Sequence, residues 1–349
     1  MIESFYKLAK PMLFRLDAET AHRLVLGMVS AWPLADPPHS PDALNTRVFG
    51  IDFRNPVGLA AGMDKDAIAP AAWQSLGFGF AELGTITPRP QPGNSRPRVW
   101  RLTGHRALIN RLGFPSKGME TVAQRIEEFR GQRPKIRIGI NIGPNKDTPA
   151  DRVVDDYAAL AGRLGTLADF VVINLSSPNT PGLRAFQSPE RLREIRAALD
   201  AVHAPNVRYL IKLSPDIASE QLAPICETIV ELGFEGIVAT NTTLARKEVG
   251  VSTGYEGGLS GAPLRDRSRE TIRAIRRIVG TRIPIIGVGG IASAADGYGH
   301  IRAGASLVEL YTGLIYEGPG LVKAINTGLA ALLRRDGFRS ISEAVGADA

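Results

Sequence analysis

Short apolar runs recur along the chain, and gaps of helical length separate them. Eight such runs, each of five or six residues, occupy residues 57–61, 81–85, 137–141, 170–175, 209–213, 236–240, 283–288 and 307–311. Runs of this length between helical segments are typical of buried parallel strands. Eight of them favour a closed barrel over an open doubly wound sheet. The sequence therefore predicts an α/β protein with a (β/α)8, or TIM, barrel.

Two further segments depart from this alternation. Residues 48–53 predict a short hairpin at the floor of the barrel. Residues 87–114, between the second and third predicted strands, are too long for a simple connection and predict an inserted loop.

A helical pattern precedes the barrel. Asp17 can cap a helix that begins at Ala18, and a shorter helical piece, residues 5–10, is expected to end at Pro11. One face of the longer helix is apolar and comprises Ala21, Leu24, Val25, Met28, Val29 and Trp32. We therefore predict an amphipathic helical hairpin over residues 1–40 and the barrel over residues 41–349.

The hairpin could face a membrane or pack against the barrel. Residues 24–32 are too few to cross about 30 Å of hydrocarbon as a helix rising about 1.5 Å per residue. Acidic residues before this stretch and the lack of a small-residue cleavage site also argue against a signal peptide. Four basic residues are available for lipid headgroups: Lys7, Lys10, Arg15 and Arg23. We expect peripheral membrane contact, with packing against the barrel as the alternative.

Composition adds little to this picture. The 349 residues carry a net charge of +7, which would suit nucleic acid, anionic lipid or anionic small ligands. The basic residues are dispersed, so a solvated basic surface is an equally good interpretation. The single cysteine, Cys226, lies in a predicted helix and excludes a disulfide within the chain, which is consistent with a reducing compartment.

Glycine or polar residues follow every predicted strand. The carboxyl ends of barrel strands meet at the face where barrel active sites lie. These ends carry Ala61-Gly62-Met63-Asp64-Lys65, Gly84-Thr85, Asn141, Asn174 with Ser177 and Asn179, Lys212, Thr240-Asn241-Thr242, Gly289-Gly290 and Tyr311-Thr312-Gly313. The densest cluster, residues 174–180, is stiffened by Pro178 and Pro181. Such a turn is common without function, but eight polar strand ends together predict an active site.

Two strand ends point to a phosphorylated cofactor. Residues 287–291 and 311–313 offer backbone N–H groups after the last two strands, where barrels usually bind phosphate. Lys212, after the fifth strand, supplies a positive charge that would suit the N1–C2 carbonyl edge of a flavin mononucleotide, which gains negative charge on reduction. An ordinary surface lysine is the alternative.

At this point the chain resembles the quinone-dependent, membrane-associated class of the dihydroorotate dehydrogenases. The strings that carry the resemblance are residues 59–65, 84–94, 110–114, 174–182, 240–243 and 287–291, in this order. The amino-terminal hairpin also looks like the membrane extension of that class. One departure follows residue 114, where the family often has two asparagines and this chain has Pro115-Ser116.

The resemblance implies oxidation of (S)-dihydroorotate to orotate, a step of pyrimidine synthesis, with electrons passing through FMN to a membrane quinone. Ser177 would take the C5 proton while the C6 hydride goes to flavin N5. The soluble class of the family has cysteine at this position, so serine places the chain in the quinone class. Thr180 and Phe114 would shape a small proton-relay pocket around Ser177.

The same resemblance assigns the binding residues. For substrate they are Lys65, Asn110, Arg111, Leu112, Gly113, Phe114, Asn174, Asn179, Asn241 and Thr242. For FMN they are Ala61, Gly62, Met63, Asp64, Lys65, Thr85, Asn141, Asn174, Lys212, Thr240, Gly261, Gly290, Tyr311 and Thr312, with Gly261 in a loop that closes near the phosphate. Quinone would enter between the two amino-terminal helices, near His22 and Arg101.

The resemblance further implies a peripheral protein on the cytoplasmic face of a bacterial inner membrane, without nucleic acid or metal. One alternative is an RNA-directed flavin reductase of the dihydrouridine synthase kind, which shares the FMN barrel. That enzyme would need an active-site cysteine and an RNA-binding carboxyl-terminal domain, and we expect neither in this chain. The other alternative is a membrane-docked flavin carrier in which Ser177 is only a turn residue.

Overall fold

A computed structural model describes residues 2–180, 182–202, 204, 206–249 and 254–349. Pro181, predicted to stiffen the loop after the fourth barrel strand, lies outside the described residues. The α-helices of the described chain are α1 (Ile2–Arg15), α2 (Ala18–Ser30), α3 (Pro70–Ser75), α4 (Met119–Gly131), α5 (Val153–Leu164), α6 (Pro189–Ala201), α7 (Ser219–Glu231), α8 (Arg265–Val279), α9 (Ala294–Arg302), α10 (Thr312–Glu317) and α11 (Leu321–Asp336). The strands are β1 (Thr46–Val48), β2 (Ile51–Phe53), β3 (Val57–Leu59), β4 (Phe80–Ile86), β5 (Val99–Leu102), β6 (Ala107–Asn110), β7 (Arg137–Ile142), β8 (Phe170–Asn174), β9 (Tyr209–Leu213), β10 (Gly236–Ala239), β11 (Gly258–Gly261), β12 (Ile285–Val288) and β13 (Leu307–Leu310).

Eight parallel strands close into a barrel in the order β3-β4-β7-β8-β9-β10-β12-β13, and β13 pairs with β3. Each predicted apolar run overlaps one of these strands. The prediction of a (β/α)8 barrel is therefore confirmed.

A short antiparallel hairpin, β1 with β2, plugs the amino-terminal end of the barrel as predicted. Its apolar side chains, Val48, Ile51 and Phe53, share one buried cluster with Phe80 and Phe170 from the barrel strands. This apolar plug closes the floor. The polar side chains of the predicted site therefore lie at the carboxyl ends of the strands, at the other end of the barrel.

Two helices form the amino-terminal hairpin. The Asp17 side chain caps α2 by accepting a hydrogen bond from the Thr20 N–H at 2.9 Å. The expectation that Pro11 ends the first helix is wrong, because α1 continues through it to Arg15. A proline inside a helix removes one backbone hydrogen bond. Contacts of α1 with the barrel compensate, among them Lys10 Nζ donating to the Tyr316 carbonyl at 2.6 Å.

The apolar residues of the hairpin face two ways. Ala21 is buried, and Val29 and Trp32 pack against the core of the barrel domain. Five other large apolar side chains of the hairpin are exposed: Leu8, Met12, Leu16, Leu24 and Met28. Within the described residues, none of the helices has the length and apolar character needed to cross a membrane.

The segment predicted as an inserted loop, residues 87–114, contains strands β5 and β6. The glycine-rich segment that ends at Gly261, also predicted as a loop, forms β11 and pairs antiparallel with β6. Both predictions are corrected to one three-stranded sheet, in the order β11-β6-β5. Ser116 forms an isolated antiparallel bridge with Gln91, with two backbone hydrogen bonds of 3.0 Å. The segment that departs from the family pattern is therefore anchored to the start of the inserted segment.

Candidate active site

Amide and hydroxyl side chains from β4, β7 and β8 form one buried network at the open end of the barrel. Thr85 Oγ1 donates to Asn141 Oδ1 at 2.5 Å. Asn174 Nδ2 donates to Asn141 Oδ1 at 3.1 Å and to Thr85 Oγ1 at 3.0 Å. Since each side chain orients the next, the wall of the cavity has a fixed pattern of donors and acceptors.

Ser177 follows β8 and lines the same cavity, with its side chain almost fully buried. Its Oγ lies 3.2 Å from the Asn179 N–H and 3.5 Å from Thr180 Oγ1. The Arg184 guanidinium braces this loop by donating to the Ser176 and Thr242 carbonyls at 3.2 and 3.1 Å. The serine hydroxyl is therefore held in place and close to a second hydroxyl.

More amides surround the space in front of Ser177. Asn179 Nδ2 donates to Asn110 Oδ1 at 3.3 Å, which joins the β8 loop to strand β6. Asn241 Nδ2 donates to Ser176 Oγ at 3.0 Å. Thr242 Oγ1 is buried on the cavity wall and has no hydrogen-bond partner among the described residues. A buried hydroxyl of this kind costs free energy unless a ligand pairs with it.

Two lysines bring positive charge to the cavity wall. Lys65 Nζ donates to the Gly62 carbonyl at 2.5 Å, and burial lowers the pKa of Lys65 to about 8. Lys212 Nζ lies 3.0 Å from Glu82 Oε1 in the barrel interior. Burial alone would lower the pKa of Lys212, but Glu82 and Glu309 outweigh burial and raise it. Lys212 is therefore cationic at neutral pH.

The end of the cavity near β12 and β13 has the shape expected for a phosphate site. Gly290 has a φ of +71°, and a Cβ at this position would lie 2.4 Å from Arg265 Cβ. Only glycine fits there, which lets the turn approach a ligand closely. Ser260 and Thr312 hydroxyls pair at 2.8 Å on the same wall. The cavity contains about 1110 Å³ of space, part of it open to solvent.

A second, larger cavity lies between the hairpin and the barrel and contains about 2530 Å³ of space, again partly open to solvent. His22 and Arg101 line it, and Lys65 and Tyr311 belong to both cavities. Burial, with a smaller effect of Lys65, lowers the pKa of His22 to about 3, so this imidazole is neutral. The Arg101 guanidinium donates to the Leu16 carbonyl at 2.9 Å and also contacts the end of α1, so it stabilises the hairpin.

Most of the predicted site residues line the first cavity. They are Ala61, Gly62, Lys65, Thr85, Asn110, Leu112, Gly113, Phe114, Asn174, Ser177, Asn179, Lys212, Thr240, Asn241, Thr242, Gly261, Gly290, Tyr311 and Thr312. Their binding roles remain predictions, but the fold brings them to one place.

Four of the residues predicted to bind substrate or FMN do not line this cavity. Asn141 lies behind the wall, in the network that orients Asn174. Asp64 accepts hydrogen bonds from the Ile68 and Ala69 N–H groups and from the Trp73 indole, so it organises the start of α3. Met63 lies in the core of the barrel domain, and the Arg111 guanidinium stacks over the Trp100 ring.

Some residues of the site were missed by the sequence interpretation. Ser176, behind the cavity wall, accepts from Asn241, and Glu309 lies on the wall beside Lys212. Glu82 and Glu309 could have been found, since each is a lone charge within an otherwise apolar strand. Such a charge needs a buried partner.

A (β/α)8 barrel with a glycine-rich phosphate end, a buried lysine and a polar pocket defines the class of flavin-dependent barrel oxidoreductases. Residues 43–333 match the family described as Dihydroorotate dehydrogenase. The chain belongs to this family.

Relatives of similar length carry a fuller name. The "Dihydroorotate dehydrogenase (quinone)" of Thermobifida fusca is 46% identical, over 97% of this chain and 94% of that protein. The protein of the same name from Rhodospirillum rubrum is 48% identical, over 99% of this chain and 95% of its own. The crystal structure of ligand-free DHODH from Eimeria tenella superposes with a TM-score of 0.90 at 37% identity, covering 95% of this chain and 99% of that chain.

Proposed function

We propose that the chain oxidises (S)-dihydroorotate to orotate and passes the electrons through FMN to a membrane quinone. The family membership and the quinone-linked relatives support the reaction. The observation that carries the site is Ser177, which shares one cavity with Lys65 and with a ring of asparagine amides.

Ser177 acts as the base. It takes the proton from C5 of the substrate, and the hydrogen at C6 leaves as hydride, so two electrons and two hydrogens leave the substrate. A neutral hydroxyl cannot keep a second proton, so Ser177 must release its own proton as it takes the one from C5. The Asn179 N–H and Thr180 Oγ1 at its oxygen stabilise the alkoxide character of Ser177 in this exchange. A hydroxyl both donates and accepts, so the Ser177–Thr180 pair can pass a proton onward.

The substrate is flat, polar and anionic, and the pocket matches each property. Lys65 pairs with its carboxylate, while Asn110, Asn174, Asn179 and Asn241 match the imide edge of the ring. Thr242 Oγ1, which lacks a partner in the described chain, supplies one more hydrogen bond. Leu112 and Phe114 cover the ring and exclude water.

FMN is the flavin that the site favours. Gly290, Gly261 and Thr312 form one compact end of the cavity that would hold a single phosphate, and Lys212 would supply positive charge to the N1–C2 edge of a bound isoalloxazine. When bound, FMN accepts the hydride and later passes on electrons. The residues of this chain fix its orientation.

Residues 1–40 form the segment for membrane contact and quinone access, and residues 41–349 form the FMN-binding barrel. The large cavity between hairpin and barrel suits an apolar quinone, with His22 and Arg101 on its wall. Exposed Leu8, Met12 and Leu24 suit peripheral attachment to a membrane. We place this attachment on the cytoplasmic face of a bacterial inner membrane, where pyrimidine precursors and quinone are both available.

The test is an absorption spectrum of the purified protein under anaerobic conditions. We expect a flavin spectrum that dihydroorotate bleaches and a quinone restores. Protein that carries flavin but is never bleached by dihydroorotate would contradict the proposed reaction and favour a flavin carrier. Release of a flavin other than FMN on denaturation would contradict the cofactor assignment.

A further inference from the structure

Three ionisable side chains meet inside the barrel, on strands that do not adjoin one another. Glu82 comes from β4, Lys212 from β9 and Glu309 from β13. Their exposed fractions are 0%, 5% and 1%. Two carboxylates therefore share one ammonium group in a place that water barely reaches.

The two carboxylates have unequal surroundings. Glu82 Oε1 accepts from Lys212 Nζ at 3.0 Å and from Asn141 Nδ2 at 2.5 Å. Glu309 Oε2 lies 3.7 Å from Lys212 Nζ, and neither of its oxygens has a hydrogen-bond partner among the described residues. Glu82 Oε2 is also unpaired in this part of the chain.

Electrostatics decides how this cluster is charged. Two like charges in a low-dielectric site cannot both persist beside one cation, and the carboxylate with more donors keeps its charge. That carboxylate is Glu82. A proton on Glu309 would also give the cluster an O–H donor, for which the unpaired Glu82 Oε2 is a ready acceptor.

The remaining strands do not alter this balance. In the described barrel, the only other charged side chain on a strand is Arg137, at the start of β7, where it pairs with Asp169. Burial, reinforced by the negative charge of Glu82, raises the pKa of Glu309 well above its usual range. The geometry and the electrostatics of the cluster therefore both place the proton on Glu309.

We propose that Glu309 holds a proton at neutral pH and is a positioning residue, which keeps the Glu82–Lys212–Glu309 cluster electrically neutral beside the flavin. The inference rests on the proposed FMN site. Reduction adds negative charge at the flavin edge that Lys212 faces. An ionised Glu309 would add a second negative charge there and disfavour the reduced flavin, so its proton sets the midpoint potential through Lys212.

The experiment compares wild type with Glu309→Asp and Glu82→Asp, which keep both carboxyl groups, and with the neutral variant Glu309→Gln, all in the flavin-loaded full chain. Infrared spectra are recorded of protein with ordinary glutamate and of protein with ¹³C-carboxyl-labelled glutamate, and one is subtracted from the other. The difference isolates the C=O band of a protonated glutamic acid, because the unlabelled flavin contributes equally to both spectra. The midpoint potential of the bound flavin is measured in parallel at neutral pH.

We expect wild type to show the protonated-acid band. Glu309→Gln should remove the band but leave the potential close to that of wild type, since one neutral group replaces another. Glu82→Asp should keep the glutamate band, whereas Glu309→Asp should lose it, because the proton then lies on an aspartic acid that carries no label.

Absence of the band in wild type would overturn the proposal. So would the mirror-image result, with the glutamate band kept in Glu309→Asp and lost in Glu82→Asp, which would place the proton on Glu82. Loss of the glutamate band in both aspartate variants would mean a shared proton and would also overturn the assignment. Failure of the proposed function is separable, because it would appear as a flavin that dihydroorotate does not bleach, whatever the infrared result.

Discussion

At the scale of single residues, the reactivity of Ser177 depends on its immediate neighbours. Its oxygen accepts from the Asn179 N–H and lies near Thr180 Oγ1, so a proton taken from substrate has a path away from the flavin. We predict that Ser177→Ala slows flavin bleaching by dihydroorotate about 10²–10⁴-fold, the usual contribution of a positioned base. Stopped-flow absorbance measures this rate directly.

The Ser177 prediction has two comparisons. Thr180→Val keeps the base but removes the second hydroxyl, so its bleaching rate should lie between those of wild type and Ser177→Ala. Ser219→Ala makes the same chemical change at the exposed start of α7 and should bleach at the wild-type rate. A Ser177→Ala protein as fast as Ser219→Ala would remove the serine from the mechanism.

Lys65 should give substrate binding a pH dependence. Burial lowers its pKa to about 8. The ammonium is therefore present below about pH 8 and is lost as the pH rises through that value. Without it the substrate carboxylate loses a charged hydrogen bond worth about 1.5–3 kcal/mol. We predict that KM for dihydroorotate rises roughly 10- to 100-fold between about pH 7 and about pH 9.5.

A variant with no titratable group serves as the control for Lys65. Lys65→Gln should have a high KM at every pH, because its amide carries no charge. A wild-type KM that stays flat across the same range, or a Lys65→Gln profile that follows wild type, would exclude Lys65 as the partner of the carboxylate.

Residue-level prediction from the sequence worked where the strand end dictated the direction of a side chain. Asn174, Lys212 and Thr240 all reach the cavity, as their positions on the strands required. It failed at Asp64, in the turn after β3, where the backbone decides the direction of the side chain. Asp64 turns away to bind the start of α3 because two free N–H groups there need an acceptor. No spacing rule in the sequence contains that information.

At the scale of elements, the hairpin is joined to the inserted sheet by charged side chains. Arg98, in the segment that leads into β5, has only 5% of its side chain exposed and donates to Glu19 of α2 at 2.7 Å. Burial would raise the pKa of Glu19, but the hydrogen bonds and charge of Arg98 outweigh it and lower that pKa. The ion pair therefore holds α2 over the second cavity.

We predict that Glu19→Gln loosens the hairpin without unfolding the barrel. Removing one partner of a nearly buried ion pair costs about 3 kcal/mol, and the loss falls on the contact between α2 and Arg98. Cleavage in the linker at residues 33–40 by a broad-specificity protease should accelerate. Quinone reduction should fall more than flavin reduction by dihydroorotate.

The matched control lies on the same hairpin. Glu3 forms an exposed pair with Lys7 on α1, so Glu3→Gln makes the same change without touching the sheet. Its cleavage rate should equal that of wild type. Equal cleavage of both variants would show that the Arg98 pair does not hold the hairpin.

The periodicity of apolar residues also decided which strands could be predicted from the sequence. It gave the barrel strands because each is buried over all or nearly all of its length. The strands β5 and β6 were read as a loop because β5 is only half-buried and the segment is interrupted by turns. β11 was missed because two of its four residues, Gly258 and Gly261, are glycines, which rarely favour strands. Pairing with β6, a distant segment, makes it a strand.

At the scale of the whole molecule, the barrel and the hairpin form two separate cavities. The plugged floor leaves one polar cavity at the open end, and the hairpin encloses a second, larger cavity beside it. Lys65 and Tyr311 line both cavities. In the function proposed above, substrate would enter the first cavity and quinone the second.

The outer face of the hairpin should decide whether the protein binds membranes. Leu8 and Met12 are 79% and 72% exposed, and burying each in a bilayer is worth about 1.5 kcal/mol or more. We predict that Leu8→Gln with Met12→Gln weakens binding to anionic lipid vesicles roughly 100-fold, approaching the complete loss expected on deletion of residues 1–40. Leu244→Gln changes an exposed leucine of the barrel and should bind like wild type. Cosedimentation with vesicles measures all four proteins. Unchanged binding in the double variant would mean that the exposed apolar face is not the membrane contact, and the second cavity would then need another route for quinone.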